Sequence, residues 1–146
     1  MKSKLLHEEH GLKTFAFIFD KDEDVKGPLL EFANRNALSA SQVTAIGAFS
    51  EVTLGYFDRS TKSYKEIHIP EQVEVLSFVG NISSKQGDSK LHAHVVVGKA
   101  DGTAHGGHFL RGKVWPTLEM IASEMPQHLR RIEDEDTGLA LIDLAA

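Results

Sequence analysis

The chain has 146 residues, no cysteine and a formal net charge of −5 with its histidines neutral. That length suits a single domain able to bury about two-thirds of its unfolded surface, so neither a disulfide nor a metal is needed merely to fold. The acidic balance gives no global field toward nucleic acid or anionic lipid, and any metal site has to be built from His, Asp and Glu.

The N-terminal "MKSKLLHEEHGLK" lacks the long apolar region of a signal peptide, and no apolar run approaches a membrane span. A cytoplasmic protein that does not meet a membrane is the expectation. "TFAFIF", residues 14–19, is aromatic and β-branched and predicts a strand. After the acidic "DKDED", Asp24 can cap a helix carrying Leu29, Leu30, Phe32 and Ala33, with Pro28 tolerated in its first turn and an end near Asn36. From Gln42 the β pattern dominates. "QVTAIGAFSEVTLGYFD" is a long strand with a bend or bulge at Gly47. "DRSTKS" is a polar turn, and "SYKEIHI" alternates until Pro70 stops it. "QVEVLSFVGNIS" is a further strand closed by Gly80 and Asn81, with "SKQGDSK" as a loop. "LHAHVVVG", the turn "KADG" and "TAHGGHFL" make a hairpin. "VWPTLEMIASEM" fits a helix or a strand, and "QHLRRIEDEDTGLALIDL" ends in a polar turn at Asp136 to Gly138 and a short apolar segment. One helix among many strands predicts an α+β domain, mainly antiparallel, whose exposed edges favour oligomerisation.

Residues 90–112, "KLHAHVVVGKADGTAHGGHFLRG", hold four of the eight histidines. Alternate side chains of a strand share a face, so Leu91, Ala93, Val95 and Val97 point to the core while His92, His94 and Val96 point the other way. The two imidazoles are then one repeat apart, about 6.5–7 Å between α-carbons, from where they can converge on one ion. The turn brings His108 back beside them, after Gly106 and Gly107, which add no bulk. His92, His94 and His108 around a metal leave a fourth position open, the pattern of a reactive site. Zinc leads for an all-imidazole set, with other divalent transition metals as alternatives. The same His-x-His pair also suits two polar residues facing solvent or an interface. His105 is a reserve ligand; His7, His10, His68 and His128 read as surface residues.

Glu74 and Glu119 each stand between apolar neighbours and are candidates for a general base beside metal-bound water; each also fits an exposed position on an alternating strand. Arg111 with Lys113 and Arg130 with Arg131 read as solvated surface. Ser50, Ser77 and Ser83 have no His and Asp pattern that would make a nucleophile, and "GTAHGG" matches no phosphate loop.

"GAFSEVTLGYFD", the strand through Glu74 and Leu76, His-x-His, the "DG" turn, "GGH" and "TLE" together resemble the PPC domain, the plants-and-prokaryotes conserved or PD1-like DNA-binding domain. The resemblance runs from about residue 12 to residue 142 and makes the whole chain, 1–146, one domain. It implies a mostly antiparallel sheet with a packed helix and a homotrimeric assembly, and it makes "VWPTLEM" a strand. In prokaryotic members, the resemblance implies, the histidines matching His92, His94 and His108 cluster as a metal site. The family name implies DNA binding, but plant members use a separate AT-hook for that, and no Arg-Gly-Arg core of one occurs in this chain. Plant members also generally lack His-x-His. Three functions compete: a trimeric metal-binding protein with a small-molecule or catalytic role, a DNA-binding or transcription-associated protein, and an assembly module for a partner protein.

Overall fold

The computed structural model describes residues 1–145. Nine strands and one helix follow in the order β1 (Lys2–Glu9), β2 (Leu12–Asp20), α1 (Lys26–Arg35), β3 (Ala40–Asp58), β4 (Ser63–Ile69), β5 (Val73–Lys85), β6 (Asp88–Gly98), β7 (Ala104–Glu124), β8 (Arg130–Glu133) and β9 (Ala140–Asp143). The α+β expectation holds, and "VWPTLEM" lies inside a strand, β7.

The long strands β3 and β7 organise the sheet. β7 is antiparallel to β6 at its start, to β3 along most of its length and to β2 at its end. β3 pairs with β5, and β5 pairs with β6. The circuit β3–β5–β6–β7 therefore closes on itself. Two strands as long as these cannot stay straight within such a circuit. Register shifts at Ala45/Gly47 and at three further points between β3 and β7 take up the bend. Gly47 sits at φ 145°, with the Thr117 carbonyl oxygen 2.3 Å from where a Cβ would stand, so the bend requires glycine there.

The interior is apolar. Phe17, Phe19, Phe49 and Phe78 are fully buried, each contributing on the order of 2–3 kcal/mol of transfer free energy. Phe109 packs against Phe49 at 5.9 Å and against Phe78 at 5.0 Å between ring centroids. α1 buries Leu29 and Ala33 and sets Phe32 edge-on to Phe15 and Phe17. Asp24 does not cap this helix. The capping position is Val25, without a side-chain cap, and Asp24 instead forms an isolated bridge with Lys113.

One other expectation is corrected, the loop at "SKQGDSK", and two segments without an assigned element gain one. Residues 2–9 form a strand, β1, although every residue in it is exposed. "SKQGDSK" is no loop: β5 and β6 run through it and are joined by Gln86 and Gly87 alone, both at positive φ. The C-terminal apolar segment is the second arm of a hairpin, β8–β9, which docks in parallel on β5 through Ser84 and Arg130. No helix among the described residues is long and apolar enough to cross a membrane.

Candidate metal centre

The period-two reading of "LHAHVVV" matches β6. Ala93, Val95 and Val97 are buried, and His92 and His94 lie on the opposite face. His108 is the direct cross-strand partner of His94 on one side and of Gly55 on the other. The rings of His92, His94 and His108 lie 5.1–5.6 Å apart between centroids, and one nitrogen from each falls within 4.8 Å of the others. His105 pairs with Val97, is exposed and stands outside this group.

Two of the three rings, His108 and His92, meet side chains from other strands. Tyr64 of β4 stacks on His108 at 4.7 Å with a 29° interplanar angle. Gly55 makes the room: a Cβ there would come within 2.7 Å of the Tyr64 ring. At Gly80 a Cβ would lie 2.5 Å from the His92 carbonyl oxygen, so that glycine lets β5 and β6 close up behind the imidazoles. His92 faces Asn81 across the strands. Arg131 of β8 reaches over both, its Nη2 donating to Asn81 Oδ1 at 2.8 Å and standing 3.4 Å from His92 Nδ1.

Burial and the neighbouring His92 and His94 rings hold the His108 imidazole down at about 4, against an ordinary value of 6.5. Burial, with Arg131 and His94 beside it, also lowers His92. Both rings are therefore neutral at pH 7, the form that ligates a metal. His108 Nδ1 is buried and has no hydrogen-bond partner among the described residues. Such an orphan costs about 1–3 kcal/mol, and a metal ion would accept its lone pair. The donor set fits zinc: three neutral imidazoles are a usual ligand set for it and would leave its fourth position open.

His92 and His108 line a cavity of about 300 Å³ that is also walled by Leu139, Ala140 and Leu141 of the terminal hairpin. A larger cleft, about 610 Å³, lies on the other side of Arg131, between the end of α1 and the β5–β6 turn. In it Ser39 Oγ and His128 Nδ1 are 2.5 Å apart, so His128 is tied to the core although its ring is exposed. Behind Ser39 the buried Glu124 carboxylate, which does not line the cleft, accepts hydrogen bonds from the Ser39 and Ala40 amides and the Ser41 hydroxyl. All its partners are structural, so this cleft lacks the converging free ligands of the imidazole site.

Glu74 and Glu119 are both exposed and line neither cavity. Glu74 sits opposite Gly98 at the far end of β6, and Glu119 opposite Ile18 and Ile46. Arg111 is surface, paired with Glu66 through both guanidinium nitrogens. Arg131 is not: it is half-buried, with Nε donating to Ser83 Oγ at 2.6 Å and Nη1 to the Ala140 carbonyl at 2.6 Å. The sequence carried no signal for this, since a basic pair on a short polar segment looks the same in solvent or under a hairpin.

A small closed antiparallel sheet with one helix and a three-imidazole pocket at the mouth of its central hairpin defines the class. The Plants and Prokaryotes Conserved (PCC) domain matches residues 6–126, and the chain belongs to that family. Solved structures of the same fold include the metal-containing protein of Archaeoglobus fulgidus, 33% identical, with a TM-score of 0.82 over 89% of this chain and 92% of that one. A plant- and prokaryote-conserved protein of Pyrococcus horikoshii is 27% identical, with a TM-score of 0.83 over 97% and 94% of the two chains. A candidate DNA-binding protein of Bacteroides thetaiotaomicron is 25% identical, with a TM-score of 0.87 over 99% of each. No curated protein matches the chain as a relative.

Proposed function

We propose that the protein is a homotrimeric metal-binding member of its family, with zinc held by His92, His94 and His108. The observation that carries this reading is the convergence of three imidazole nitrogens within 4.8 Å, one ring keeping a buried, unpartnered Nδ1. The metal-containing relative from Archaeoglobus fulgidus supports it. Zinc so held would supply a Lewis acid able to polarise a bound oxygen at its open position. The chain's own part is to hold the rings neutral and oriented, Tyr64 on His108 and Arg131 over His92, and to wall the open side with the terminal hairpin.

The trimer has its own support. On the outer face of the sheet Ile46, Leu76, Val79, Val96 and Ile121 are exposed, Ile46 by 63%. Cross-strand pairing runs from His94 through Val79 and Thr44 to Ile121, so the apolar face borders the imidazoles. A contiguous apolar face of this kind marks an association surface.

Metal content of protein purified without a histidine tag tests the central reading. About one zinc per chain in the wild type and none in a triple His92→Ala, His94→Ala, His108→Ala variant is expected; equal content in the two would sink it. Sedimentation equilibrium tests the assembly: three chains are expected, and a monomer at micromolar concentration overturns the trimer.

DNA binding is the second reading, favoured by the relative from Bacteroides thetaiotaomicron. With a net charge of −5, this chain would have to bind duplex DNA through a local patch. An affinity that falls steeply with salt would support it, and no binding at low salt and micromolar protein would end it.

A further inference from the structure

The cavity beside the imidazoles is charged in a way that the metal reading does not use. Three cations, Lys85, Lys90 and Arg131, line it, and no described carboxylate does. Lys85 is answered by Glu133 at 3.0 Å. Lys90 is exposed, and no ion pair to it is formed among the described residues. Arg131 spends its donors on three neutral acceptors, the Ser83 hydroxyl, the Ala140 carbonyl and the Asn81 amide oxygen. Those bonds, with the 3.4 Å contact to His92 Nδ1, occupy most of its N–H groups but leave its charge uncompensated in a half-buried place, where charges are normally paired. The cavity is thus a positive hollow in a chain of net charge −5. Its remaining wall is apolar, with Leu91 on the β6 side and Leu139 and Leu141 on the hairpin. At about 300 Å³ it is the size of a small-molecule site.

We propose that this cavity receives a small organic carboxylate, its head group beside Arg131 and the histidine centre toward Lys90 and its short apolar body against Leu91, Leu139 and Leu141. The proposal rests on the metal reading for the position of the head group at the histidines; Arg131 and Lys90 supply charge without it. A guanidinium beside three metal-ligating imidazoles would repel a cation held there. An anion beside the two compensates both, so metal and carboxylate strengthen each other's binding.

The test is isothermal titration calorimetry of the full chain, zinc-loaded and metal-free, with three probes: hexanoate, neutral hexan-1-ol and inorganic phosphate. Hexanoate is expected to bind the zinc-loaded protein about tenfold or more tighter than hexan-1-ol or phosphate. Arg131→Gln should abolish most of that preference. Because Arg131 also ties down the hairpin, Lys90→Gln, on the surface, is the second variant, and should weaken hexanoate by about threefold or more with the melting temperature unchanged. Equal binding of hexanoate and hexan-1-ol, phosphate as tight as hexanoate, or full hexanoate affinity in both variants overturns the proposal. Zinc uptake without hexanoate binding likewise refutes the anion site and leaves the metal centre standing. Arg131-dependent hexanoate binding by a chain that takes up no zinc upholds the anion site and refutes the metal centre.

Discussion

The two faces of one hairpin behave oppositely. On the inner face of β6 Ala93, Val95 and Val97 are each at most 2% exposed and belong to the apolar core. On its outer face His92 and His94 meet a third imidazole and an arginine without a counter-charge, and one buried ring nitrogen has no partner. The inner face is consistent at every level, so it stabilises. The outer face leaves polar groups unmet at one spot, and a fold tolerates that where something else is bound. Core variants should therefore cost stability and site variants should cost binding, and that division can be attacked directly.

The largest effect belongs to the core. Phe78→Ala empties a fully buried position against Phe109 and should cost about 3–5 kcal/mol in denaturant unfolding. His108→Ala should cost far less in metal-free protein, because it also removes an unpartnered buried nitrogen. If the histidine variant were as destabilising as the phenylalanine one, the two faces would not differ in kind.

Next comes the ligand. Zinc at about a hundred times its dissociation constant should stabilise the wild type by about 2.7 kcal/mol, seen as a raised melting temperature reversed by a chelator. The triple histidine variant should show no rise. An equal rise in both would place the metal elsewhere.

A smaller effect is the pH dependence of the metal-free chain. His108 has a folded value of about 4 against 6.5 when free, so the unfolded chain binds more protons between those values. Stability is then fully present above about pH 6.5 and falls as the pH drops toward 4, by on the order of 1 kcal/mol once solvent access to the half-buried ring is discounted. Urea unfolding across that range should show the slope, and His108→Gln should flatten it. An unchanged slope would assign the loss to other groups.

How much of this was legible in the sequence follows the same division. Period-two alternation is a local property, so "SYKEIHI" gave β4 with its bounds and "LHAHVVV" placed the histidines opposite the core. The helix over 26–35 was readable from Leu29 and Ala33, although its capping residue was not. β1 escaped because an all-exposed strand has no alternation to read. The β5–β6 turn escaped because Gln86 and Gly87 stand among polar residues that continue both strands. Arg131 and Tyr64 escaped for a different reason. Each reaches the site from a strand outside the histidine hairpin, β8 or β4, and only tertiary pairing puts them there. The imidazoles could be found by sequence; what orients them could not.

Tyr64 offers the finest cut at the comparison. It is half-buried, and burial raises its phenol above the ordinary value of 10.0, so near neutral pH it acts on His108 as a neutral stacked ring. A stack of this kind is worth about 0.5–1.5 kcal/mol. Tyr64→Leu keeps an apolar side chain beside Gly55 and should cost less than about 1 kcal/mol of stability, while freeing the His108 ring to turn. Zinc affinity should then fall by about tenfold, the low end of the usual scale for losing a group that orients a ligand. Tyr64→Phe keeps the ring and should restore it, which separates stacking from any role of the hydroxyl. Were Tyr64→Leu to lose stability but no affinity, Tyr64 would belong with the core rather than the site. The boundary between the two regions would then run between Tyr64 and His108.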